Sequence, residues 1–320
     1  VRRFLALAAA GLLLAGALPL QAQTWPTKQV RWLVPFPPGG ASDITARILA
    51  DHLSRLWGQA VLIENRPGAG GTIATAEMAK APADGYTIMS GTMGTHAIAP
   101  NLYKNLSYDP VKDLIPVSMV ADVPLVLVAS LKLEANTLKD FVVLAKQKPG
   151  TFAYASPGNG TLNHLLGELF KQAAGLDMVH VPYKSGSYPD LYSGAVSLLF
   201  DPILAASTQV RQGKLKAFAI AAGKRSPALP DVPTMAELGY AGFDATLWLG
   251  IFAPVGTPAP VIARLNGDLV RMVRLPEVKA KLEDLGGEVV GSAQEEFSLR
   301  YRNDVARWGR VIREMGIKID

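Results

Sequence analysis

A chain of 320 residues, 49% hydrophobic and 18% charged, is long enough to bury two apolar cores, and its lack of cysteine excludes disulfides, thiol nucleophiles and thiolate metal sites. Lys and Arg number 32 against 27 Asp and Glu, for a formal net charge of +5. The basic residues are scattered along the chain instead of gathered in one stripe, which argues against a nucleic-acid partner and leaves a modest positive field suited to anionic solutes.

The chain begins with Arg2 and Arg3, followed by a nearly unbroken apolar run from Phe4 to Leu20 and then Gln21 and Ala22. A basic start, a Leu/Ala run and a small residue before the cut mark residues 1–22 as a secretory signal peptide. The run is short for a membrane span, which needs ~20 apolar residues. Removing Arg2 and Arg3 lowers the net charge to +3, on a mature chain of about 298 residues destined for export. Export without disulfides demands a substantial hydrophobic core.

Short apolar runs then alternate with helical patterns, the signature of α/β architecture. A strand is expected over Val30 to Pro35, a helix over Ser42 to Trp57 closed by Gly58, and a strand over Ala60 to Glu64. A turn from Asn65 to Gly71 leads to a helix over Thr72 to Lys80 and a strand over Tyr86 to Ser90. Later come a strand at Leu125 to Ala129, a helix at Leu138 to Lys148 and a strand at Phe152 to Ser156. The helix Thr161 to Ala174 follows, with Leu162, Leu165, Leu166, Leu169, Phe170 and Ala173 on one face. Strands are expected again at Val179 to Pro182, Val196 to Asp201 and Lys216 to Ala221, and a mainly helical tail runs from Pro258 to Met315. Two lobes require crossing points, placed near Pro124–Leu125 and Leu247–Phe252. Lobe 1 is then residues 23–124 with 247–320, and lobe 2 is residues 125–246.

The candidate site residues cluster in loops that follow strands, where open α/β sheets place ligands. In the first loop, from Phe36 through Gly39, Gly40, Ala41 and Ser42 to Asp43, the glycines permit close backbone approach and the free N–H groups of the next helix attract an anion. Ser42 or Asp43 reads equally as the helix cap. The segment Ser156, Gly158, Gly160, Thr161 stands in the same context in the other lobe, so both helix N-termini can share one carboxylate, with Ser156 and Thr161 as hydroxyl donors. His164 either faces that cleft or is a buried structural residue. Further candidates are Ser90, Thr92, Gly94 and His96 after a strand, Lys184 and Ser185 in a loop, and Asp201 at a strand end. Lys184 either meets a second ligand carboxylate or is solvated. Asp201 either accepts from a ligand hydroxyl or ammonium or caps the helix beginning near Pro202. No nucleotide fingerprint, catalytic elbow or metal-like histidine spacing is present, so neither enzyme activity nor a metal or other cofactor is expected.

Taken in order, the motifs resemble one family, the Bordetella-uptake-gene (Bug) receptors of tripartite tricarboxylate transporters. They include Val34 to Asp43, Glu64 to Gly71, Ala81 to Thr87, Tyr154 to Ser156, His180 to Lys184, Leu229 to Thr234 and Ala253 to Pro258. The resemblance implies a two-lobed, type II-like periplasmic binding protein fold that closes on a small carboxylate. It also implies a membrane permease as partner and no catalysis. The ligand is then held by Phe36 through Ser42 and by Ser156 through Thr161. A monomer is expected. A ligand sensor coupled to a sensor kinase and a periplasmic hydrolase are the competing readings. Ser185 to Asp190 departs from the Gly- and Ala-rich form of the family, leaving the group that meets the far end of the ligand open.

Overall fold

The computed structural model describes residues 25–103, 105–184, 186–243 and 245–315; the expected signal segment 1–22 and Ser185 lie outside them. Strand β1 (Val30–Val34) leads through the first loop into helix α1 (Ala41–Trp57), which Gly58 ends in the left-handed conformation. The helix buries Ala46, Leu49 and Leu53. Strand β2 (Val61–Asn65), helix α2 (Thr72–Ala79) and strand β3 (Thr87–Thr92) complete the first unit, in which β2, β1 and β3 run parallel. After β3 comes a π-helical turn over Met93–Ile98, continued by α3 (Ala99–Leu102), which periodicity alone does not announce.

Strand β4 (Leu114–Ser130) is the backbone of the sheet. Only its second half, Leu125 to Ala129, is legible as a strand, because Pro116 and Pro124 punctuate the first half and proline is unusual inside a sheet. Its first half pairs antiparallel with β9 (Thr246–Pro254) as far as Pro124↔Thr246, with register shifts after Pro116 and Met119. From Leu125 onward it pairs instead with β7 (Leu198–Pro202) and β8 (Leu215–Ala221). The partner switch thus falls between Pro124 and Leu125.

Helix α4 (Leu138–Gln147), strand β5 (Ala153–Ser156), helix α5 (Leu162–Ala174), strand β6 (Val179–Pro182), helix α6 (Tyr188–Ser193) and helix α7 (Ile203–Arg211) build the middle of the chain. Here β5 runs parallel to β6 and β7. The strand order is β2-β1-β3-β9-β4-β7-β5-β6, with β8 and β10 (Glu288–Val289) also on β4. Helices α8 (Ala259–Val273), α9 (Pro276–Asp284) and α10 (Gln294–Met315) form the tail, broken at Pro276 and around Gly286 and Gly287. Helix α10 packs Phe297 and Tyr301 against Trp248 and Phe252 of β9. A Cβ on Gly250 would collide with the Phe297 ring, so glycine there is a packing requirement. Among the described residues no helix is long and apolar enough to cross a membrane.

Candidate functional site

Loops after β1, β5 and β7 converge on a cavity of about 380 Å³. Of the sequence candidates, Phe36, Gly39, Gly40, Ala41, Ser42, Thr92, Gly94, Thr161 and Asp201 line it. The first loop is braced from behind. Buried Asp43 accepts from the Gly39 N–H at 2.9 Å, from Arg47 Nε at 3.0 Å and from Asn65 Nδ2 at 3.0 Å, while Asn65 Nδ2 also reaches the Phe36 carbonyl at 2.9 Å. Burial pushes the Asp43 carboxyl up, but bonds from Arg47, the Gly39 N–H and Asn65 outweigh it and hold the group below the ordinary carboxylate range. Gly39 sits at φ +84, where an L side chain is strained. Gly40 is the N-cap of α1 and no side chain caps the helix, so neither Ser42 nor Asp43 serves that purpose. Ser42, 4% exposed, lines the cavity within the first turn, beside the free N–H groups of the helix.

The second loop is arranged differently. Thr161 is the N-cap of α5: its hydroxyl accepts from His164 N–H at 3.3 Å and donates to the Gly158 carbonyl at 2.8 Å. Its single proton is therefore used inside the loop. Ser156 is fully buried and does not line the cavity; its hydroxyl bonds His180 Nε2 at 2.6 Å and both polar groups of Gly158 at 3.1 Å. Gly158 and Gly160 also lie outside the lining. A Cβ on Gly158 would come within 2.7 Å of Gly70 N, and Gly160 N donates to His164 Nδ1 at 3.3 Å. The turn Asn65 to Gly71 thus packs on the second loop, where Tyr103 donates to the Asn159 carbonyl at 3.0 Å.

Three other candidates lie elsewhere. Ser90 accepts from Trp32 Nε1 at 2.8 Å within the core. His96 is fully buried, stacked 4.0 Å from Phe252, with Nδ1 on Thr95 Oγ1 at 2.6 Å. Burial lowers its pKa to about 3, so it is neutral. Lys184 is exposed and outside the lining. His164 is buried and stacked 4.1 Å from His180, with burial lowering both, His180 to about 3; neither lines the cavity.

Sequence reading missed the far wall. Tyr188, Leu199, Gln209 and Leu247 line it, and Tyr188 donates to Asp201 Oδ2 at 2.5 Å. Asp201 does not cap α7, whose N-cap is Pro202 without a side-chain bond. Burial pushes the Asp201 carboxyl up to about 7, against the lowering effect of the Tyr188 hydroxyl. Asn163 also lines the cavity and donates to the Phe200 carbonyl at 2.6 Å. No Lys, Arg or His stands among the described lining residues, so an anion here meets N–H groups, hydroxyls and helix N-termini without a cation. Among the described residues no cluster of His, Asp and Glu is arranged to hold a metal ion.

The sequence model of the family described as "Tripartite tricarboxylate transporter family receptor" matches residues 45–317. Three solved structures are similar over most of their length. The periplasmic binding protein BugD is 35% identical with a TM-score of 0.88, covering 92% of this chain and 99% of BugD. Rpa4515 of R. palustris with adipate is 36% identical with a TM-score of 0.88, covering 92% and 99%. MatC from Rhodopseudomonas palustris with bound malate is 34% identical with a TM-score of 0.86, covering 90% and 100%.

Proposed function

We propose that this chain, which belongs to the tripartite tricarboxylate transporter family of receptors, captures a small carboxylate in the periplasm and delivers it to a membrane permease. It is a substrate-binding protein with the periplasmic binding protein fold, not an enzyme. The observation that carries the carboxylate reading is the cavity itself. Helix N-termini at Gly40–Ser42 and Thr161–Asn163 border a lining without basic side chains, and Ser42 presents a hydroxyl beside one of them. Partly desolvated N–H groups bond a carboxylate more strongly than a neutral oxygen, roughly 1.5–3 kcal/mol per bond against about 0.5–1.5. The adipate and malate held by the two similar structures support the same ligand class.

The division into residues 23–124 with 247–320 and residues 125–246 belongs to this reading, since the β4 partner switch at Pro124 and Leu125 offers a hinge of extended backbone. A ligand sensor is the rival role, and it shares the same binding step. Mass spectrometry of the ligand that co-purifies with the protein, followed by thermal shift with C4 to C6 dicarboxylates, tests the proposal. Stabilisation follows mass action, about 2.7 kcal/mol at a hundred times the Kd. Stabilisation by neutral solutes alone would overturn it.

A further inference from the structure

Asp201 has a place in the cavity that its position at a strand end does not explain. It is only 9% exposed, lines the cavity, and gives Oδ2 to the Tyr188 hydroxyl, which leaves Oδ1 without a partner among the described residues. The titratable groups facing it are Tyr188 and Tyr192, both on α6. Asn163 on α5, Gln209 on α7, Val126 beside it on β4 and Leu247 on β9 add nothing that ionises. A carboxylate ligand entering this enclosure would therefore face an acid with no cation between them, and two like charges in a poorly solvated space cannot both stay ionised. A carboxylic acid beside a carboxylate makes, in contrast, a strong O–H···O bond.

We propose that Asp201 is protonated in the ligand complex and donates from Oδ1 to a ligand carboxylate, with Tyr188 as the positioning residue that occupies Oδ2. The inference rests on the carboxylate reading above and deepens it: the far wall selects ligands whose facing group accepts a hydrogen bond, and binding draws one proton from solvent whenever the free protein has Asp201 ionised. No bond between heavy atoms changes; an O–H bond forms at Oδ1 as hydronium or the buffer acid gives up its proton, and that proton is shared with the ligand oxygen in a hydrogen bond.

The sign follows from linkage. Burial already raises free Asp201 to about 7, and a bound carboxylate raises it further. Affinity is then flat below about pH 7 and falls by up to tenfold per pH unit above it, until the pKa of the complex is passed. Calorimetric titration with adipate and malate, both fully ionised above pH 7, in buffers of different ionisation enthalpy should show uptake approaching one proton per ligand at about pH 8. Asp201→Asn keeps a neutral donor at the same place, so it should still bind, with no proton uptake and a flat profile above pH 7. Tyr188→Phe removes the bond that favours the ionised form and should move the break in the profile to higher pH, an effect that a purely packing role would not produce. Binding without proton uptake, or affinity for malate that rises with pH and is lost in Asp201→Asn, would overturn the proposal in favour of an ionised Asp201 that accepts a hydrogen bond from the ligand. If no dicarboxylate binds at any pH from 5 to 9, the carboxylate reading itself fails, and that outcome is distinct from binding without proton uptake.

Discussion

At the first loop the side chains stand behind the backbone: Asp43, Arg47 and Asn65 fix Phe36 and Gly39 from the side away from the cavity and leave Ser42 and the helix N–H groups facing it. At the second loop the hydroxyls turn inward, so that Ser156 and Thr161 are spent on Gly158, His180 and His164. Two Gly-rich loops in the same strand-to-helix context thus carry different tasks. One presents donors to the cavity, and the other holds its own shape while Gly158 packs on Gly70 across the seam. A shared motif context specifies where a loop lies relative to the sheet, and it leaves open which of its polar groups remain free.

The largest effect should come from removing the brace. Asp43→Ala strips partners from the Gly39 N–H, Arg47 and Asn65 together, and should weaken binding more than a hundredfold and cost about 2 kcal/mol of stability, moderated because Arg47 is half exposed. Denaturant unfolding with calorimetry checks both. The Asp43 pKa is lowered on folding, so its contribution is present above the ordinary carboxylate range and is lost as pH falls below about 4. Wild-type protein should therefore lose its stability advantage over Asp43→Asn in acid.

Next is the glycine seam. Gly70 sits at φ +62 and a Cβ there would collide with the Asn159 carbonyl, so Gly70→Ala should part the two loops. The expected result is about ten- to a hundredfold weaker binding and a larger radius of gyration by small-angle scattering at saturating ligand, since closure then costs the roughly 1–3 kcal/mol of local strain. An unchanged scattering profile would mean that this contact does not govern closure.

The two hydroxyls give the smallest and most discriminating effects. Ser42→Ala should weaken binding about tenfold and leave the apo melting temperature nearly unchanged, because its hydroxyl caps nothing. Thr161→Ala should do the reverse: it removes a cap and costs ~1 kcal/mol of apo stability, with affinity changed less than in Ser42→Ala. Calorimetric titration and apo melting of the two variants side by side decide the comparison. Equal losses of affinity would make the second loop a donor as well.

What the sequence determined by itself was the part governed by local rules. Period-2 and period-3.6 patterning placed β1, α1, β5 and α5, and the glycines at 39 and 40 marked a loop that lets a ligand approach the backbone. The ordered motifs pointed to the family, since they are short runs of consecutive residues that can be read from one chain. Tertiary structure alone decided which polar groups stayed free. Ser156 looks like a donor until His180 of the neighbouring parallel strand takes its hydroxyl, and Asp201 reads as either a ligand contact or a cap until helix α6 lays Tyr188 against it from thirteen residues away. The first half of β4 was hidden for the same reason: Pro116 and Pro124 argue locally against a strand, and pairing with β9 overrides them. Hydrogen-bond partners and burial depend on segments far apart in the chain, and no local pattern records which of them will meet.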